Sequence, residues 1–103
     1  MSASVMRELA EEFERQAEWR REKAQQYPRD NRSAEAAARF DRLAKSVADC
    51  PPAVAEAAWG LFESVPDSEA WQQMMTEVGF WYFPETAEEF CRDFISKQTT
   101  GAR

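Results

Sequence analysis

At 103 residues the chain is close to the usual size of one domain, and its 44% apolar content, with seven Phe, four Trp and two Tyr, excludes a disordered class and supplies a core without metal or disulfide. The absence of histidine and the wide separation of the only two cysteines, Cys50 and Cys91, remove the commonest general base, most zinc sites, thiolate cages and Ser-His or Cys-His nucleophile pairs. The net charge of -6 is uneven: residues 1–48 carry ten basic and nine acidic side chains, residues 49–103 three and ten, so the two halves are expected to present surfaces of different sign and the acidic half to repel DNA and anionic lipid.

From Ser4 to Gln26, Met6, Leu9, Phe13, Ala17, Ala24 and Tyr27 recur at helical spacings, which predicts a long amphipathic helix with one apolar stripe, ended by Tyr27-Pro28. Asp30 or Asn31 caps a second helix reaching about Ala48, with Ser33, Ala36, Phe40, Leu43, Ala44 and Val47 on one face. The short connection makes the pair antiparallel, and the alanines at 34, 36, 37 and 38 allow close approach.

Cys50-Pro51-Pro52 starts a third helix, where proline costs nothing in the first turn. Its inner stripe is read as Val54, Ala58, Leu61 and Val65, with Trp59 pointing about 140° away from Val54 at 100° per residue. Asp67 caps a fourth helix whose stripe is Trp71, Met74, Met75 and Val78, and Gly79 closes it. Phe80-Trp81-Tyr82-Phe83, stopped by Pro84, is read as an extended connector in which Phe80 and Tyr82 face one side, Trp81 and Phe83 the other. Thr86-Ala87-Glu88-Glu89 matches a capping box for a fifth helix lined by Ala87, Phe90, Cys91, Phe94 and Ile95, after which the apolar residues run out and fraying is expected. The expectation is an all-α, compact bundle of about five helices in a single domain, 1–103: a long antiparallel hairpin over 4–48, three shorter helices over 51–96 and a frayed tail over 97–103.

No residues form a catalytic, cofactor-binding or metal-binding constellation in this reading. The carboxylates Glu11, Glu12, Glu14, Glu18 and Glu22 fall along polar helix sides, and Glu88 and Glu89 are explained by capping. Cys50 and Cys91 are read as small inert hydrophobes. The core claims Phe13, Phe40, Trp71, Phe90 and Phe94, whereas Trp19 lies about 120° around the first helix from Phe13 and Trp59, Trp81 and Tyr82 are hard to bury together, so these four are the candidate partner-binding residues. Arg20, Arg21, Arg29, Arg32, Arg39 and Arg42 form the local basic excess and are the candidate nucleic-acid contacts.

The expected role is that of a small acidic noncatalytic protein acting through protein-protein interaction: a regulator, adaptor or inhibitor whose partner has a basic surface, a second copy of the chain being another candidate. The alternatives are a nucleic-acid-binding hairpin, and a small-ligand protein with a pocket lined by Trp71, Met74, Met75 and Phe94. No cofactor is implied. The first residues hold no long apolar stretch, so neither a signal peptide nor a membrane span is indicated and the expected location is the cytoplasm. Ten arginines against three lysines match the coding bias of a GC-rich bacterial genome.

Overall fold

The computed structural model describes residues 2–29, 31–64 and 69–101. Over these the chain is an all-α bundle: α1 (Ser2–Gln26), α2 (Asn31–Ser46), a 3-10 turn (Val47–Asp49), α3 (Pro52–Ser64), α4 (Glu69–Glu77) and α5 (Ala87–Gly101). The expected caps Asp30 and Asp67, and Val65, lie outside the described residues.

The two long helices form the expected hairpin and share the largest interface of the bundle. Leu9, Phe13 and Ala17 of α1 meet Ala36, Ala37, Phe40 and Leu43 of α2, all buried. Arg21 and Asp41 join the helices on the outside at 2.9 Å, an exposed pair worth at most about 1 kcal/mol. The end of α2 tightens into the 3-10 turn before the two prolines, closed by the Cys50 N–H donating to the Val47 carbonyl.

Helix α3 turns a different face inward from the one its periodicity suggests. Ala55, Ala58 and Trp59 are buried and Phe62 is half-buried, while Val54 and Leu61 flank the core instead of filling it. The segment is apolar nearly all round, so spacing alone leaves its rotation undetermined, and packing of the largest ring decides it. Trp59 sits edge-on to Trp71, with ring centroids 6.2 Å apart. Trp71 is the hub of the interior: Phe62, Phe90 and Phe94 surround it with centroids at 4.5, 5.4 and 5.0 Å. The edge-on members of this cluster each add about 0.5–1.5 kcal/mol beyond the area they bury.

Helix α5 begins as expected, with the Glu89 N–H donating to Thr86 Oγ1 at 3.2 Å. The Glu89 carboxylate reaches back to the Glu85 N–H, one residue before the cap. A second cap arrives from a distance: Ser46 Oγ at the end of α2 accepts from the Ala87 N–H at 2.7 Å. Helical backbone continues to Gly101, and among the described residues none beyond Ile95 joins the core.

Candidate interaction surface

The aromatic segment after α4 is a closed turn, not an extended connector. Gly79 takes φ 84°, the left-handed conformation that suits glycine, and the N–H groups of Phe80, Trp81 and Tyr82 all converge on the Glu77 carbonyl. The Gly79 N–H donates to the Tyr82 carbonyl at 2.8 Å, which locks the turn. The expected division of faces survives the change in backbone: Phe80 and Tyr82 are half-buried, and Trp81 and Phe83 project at 74% and 52% exposure.

Three side chains pin this turn to the bundle. Tyr82 Oη donates to the Asp93 carboxylate on α5 at 2.5 Å, and its ring leans on Phe90. Burial first, then the bond to Asp93, raises the Tyr82 phenol above its ordinary value. Arg39 of α2 donates to the Pro84 carbonyl at 2.9 Å and lies over the Phe83 ring. Arg20 of α1 is only 6% exposed; it donates to the Thr76 and Met75 carbonyls at the end of α4, and its guanidinium is held between the Trp19 and Phe80 rings, 4.8 and 4.7 Å from their centroids. A cation there meets the negative end of the α4 dipole, while desolvation lowers its pKa.

The four candidate contact residues therefore have different fates. Trp19 and Trp81 are exposed, Trp19 at 47%. Trp59, at 7%, is a core residue because α3 rotates it onto Trp71 and Phe62, and Tyr82 is the anchor of the turn. The residue that sequence reasoning left off its list is Phe83, although its alternation with Trp81 placed it on the same outer side.

The six candidate nucleic-acid arginines are also divided. Arg20 is committed to backbone carbonyls and Arg21 to Asp41. Arg29 and Arg42 are exposed, Arg32 lies over Phe80 at 5.4 Å, and Arg39 over Phe83. Arg39 and Arg42 line a cleft of about 240 Å³ with Glu35, Ala38, Gly79 and Phe83. Phe83 thus stands beside arginines of α2, although it belongs to the acidic half of the chain.

Of the residues assigned to a small-ligand pocket, Met74 and Phe94 are sealed inside the core. Trp71 and Met75 instead border a groove of about 560 Å³ that also contains Trp19 and Phe62. Among the described residues no group of acidic and cysteine side chains could hold a metal ion, and no helix is long and apolar enough to cross a membrane. The two cysteines, distant in sequence, are both free thiols buried in the core. No protein-family model, curated protein or solved structure matches the chain.

Proposed function

We propose that this protein is a noncatalytic interaction module that docks through the aromatic turn onto an acidic, apolar segment of a partner protein. The observation that carries the reading is the outward projection of Trp81 and Phe83 from a turn whose backbone is fixed by four hydrogen bonds. Rigid aromatic side chains offer large contact area at little entropic cost on binding, and Trp, Tyr and Arg dominate the energetic centres of interfaces.

The partner's chemistry follows from what surrounds the rings. Arg42 is an exposed cation in the cleft beside Phe83, where Arg39 is held by the Pro84 carbonyl and by Glu85 at 3.6 Å, and Arg32 lies over Phe80. These cations complement carboxylates flanking an apolar anchor, which reverses the basic partner surface expected from net charge alone. A protein is favoured over nucleic acid because Arg20, Arg21 and Arg39 of the hairpin's six candidate arginines are already engaged within the molecule and the net charge is -6. The noncatalytic character is supported by a sequence without histidine and by carboxylates of α1 that are mostly exposed.

The test compares the wild-type chain with Trp81→Ala/Phe83→Ala in binding to a partner identified by affinity capture and then purified. The double variant is expected to bind at least roughly 30-fold more weakly, the cost of one interface hot spot of about 2 kcal/mol. Unchanged affinity sinks the proposal. A low-salt gel shift with single- and double-stranded DNA and RNA that is abolished by Arg39→Glu/Arg42→Glu assigns the same surface to nucleic acid and equally overturns it.

A further inference from the structure

Helices α1, α3 and α4 border an open groove of about 560 Å³, a volume typical of small-molecule sites, with Trp19, Phe62, Trp71 and Met75 as its apolar walls. Phe62 and Trp71 form a tilted pair of rings, 4.5 Å between centroids, that offers an aromatic face to a flat ligand. The lining charges are Arg15 and Arg20 against Glu12, a net positive set, and Glu12 already accepts from Arg15 and from Gln16. The Trp19 ring carries two cations of its own, the Arg20 guanidinium at 4.8 Å and Lys23 Nζ at 5.4 Å from its centroid. A further cation is therefore repelled from the groove and an anion is drawn into it.

The hydrogen bonds of the surrounding side chains ask for the same chemistry. Among the described residues, two buried side-chain nitrogens have no partner, Arg20 Nε and Trp59 Nε1. Both are donors and both adjoin the groove: Arg20 lines it, and Trp59 packs on Phe62 and Trp71 with centroids at 5.2 and 6.2 Å. Arg20 is 6% exposed, and its bonds to the Met75 and Thr76 carbonyls both leave from Nη2, so Nε lacks an acceptor in a setting where an unmade hydrogen bond is costly. The oxygens of a carboxylate match the planar guanidinium better than any neutral acceptor does. We infer that the groove binds a small aromatic carboxylate, its ring against Phe62 and Trp71 and its carboxylate supplying the acceptor that Arg20 lacks. Trp19, exposed at 47%, is the cover that turns aside to admit the oxygen. The site uses neither Trp81 nor Phe83 and stands independently of docking through the aromatic turn.

The isotope-labelled full-length chain is titrated with cinnamate and, separately, with its uncharged isostere cinnamamide, and the side-chain N–H resonances of arginine and tryptophan are followed by NMR. Cinnamate is expected to move the Arg20 Nε–H and the Trp19 and Trp71 indole signals together and saturably, with half-saturation at about 1 mM for so small a ligand, and to leave the Trp81 indole in place. Cinnamamide is expected to bind about tenfold more weakly or worse. Gln72→Glu changes an exposed lining residue without touching the core, and the anion it adds is expected to weaken cinnamate about threefold and cinnamamide not at all. No saturable shift, equal affinity for acid and amide, or shifts centred on Trp81 with Arg20 Nε–H unmoved each overturn the inference.

Discussion

Gly79 lies so close against Ala36 that a β-carbon added to it would stand 2.7 Å from both the Cα and the Cβ of Ala36. The contact seats the aromatic turn on α2, and it works only because position 79 has neither a side chain nor a negative φ. Gly79→Ala is expected to destabilise the protein by about 2–4 kcal/mol, the sum of the left-handed backbone penalty and overpacking. Urea unfolding checks this, and Ala36→Gly in the same chain is expected to return only part of the loss, since the Ala36 backbone remains in the way.

Arg20 acts as a structural cation that joins α1, the end of α4 and the turn. Arg20→Ala is expected to cost about 2–3 kcal/mol, because it removes charge-assisted hydrogen bonds and leaves the Thr76 carbonyl without its donor. Arg20→Lys is expected to recover less than half, as a point charge cannot stack between two rings while reaching two carbonyls. Denaturant midpoints of the two variants decide the point.

The tryptophans separate cleanly into two energetic classes. Trp59→Ala is expected to cost about 3–5 kcal/mol through loss of packing in the core, and Trp81→Ala about 0.5 kcal/mol or less. Chemical denaturation of the isolated protein measures both. A large loss for Trp81→Ala contradicts its assignment to the surface, and a small one for Trp59→Ala contradicts the rotation of α3.

Stability is expected to fall on the alkaline side. Cys91 and Tyr82 both have folded pKa values raised above their unfolded ones, so the uncharged forms are favoured in the fold. Their contribution is fully present below the unfolded values, near pH 9 for the thiol and about pH 10 for the phenol, and is lost as pH rises toward the folded values. Melting midpoints are expected to decline from about pH 9 toward pH 12, and Cys91→Ala and Tyr82→Phe each to flatten that decline.

Periodicity made the hairpin, the stripe of α4 and the start of α5 legible, because each of those segments alternates apolar and polar residues clearly enough to fix one inner face. Helix α3 is different. Its residues are apolar on nearly every side, and the rotation that buries Trp59 depends on Trp71, which belongs to the next helix and cannot be paired with it by spacing. The turn of 79–82 was hidden for a related reason. A run of aromatics next to proline suggests an extended strand-like stretch, while the hydrogen bonds to the Glu77 carbonyl follow from the end of α4 and the glycine. Nor could the commitment of Arg20 to α4 be read from the chain, since it joins residues more than fifty positions apart. Of the four candidate contact residues, Trp19 and Trp81 project outward because their surroundings are polar or open, and the other two are absorbed by neighbours that only tertiary packing supplies.

Amide hydrogen exchange of the chain with and without its purified partner tests the docking surface most directly. The proposed mode requires slowed exchange at Phe80–Phe83 and along the exposed side of α2 around Arg39 and Arg42. Protection confined to the groove between α1 and α4, with the turn exchanging as fast as in the free protein, would contradict it.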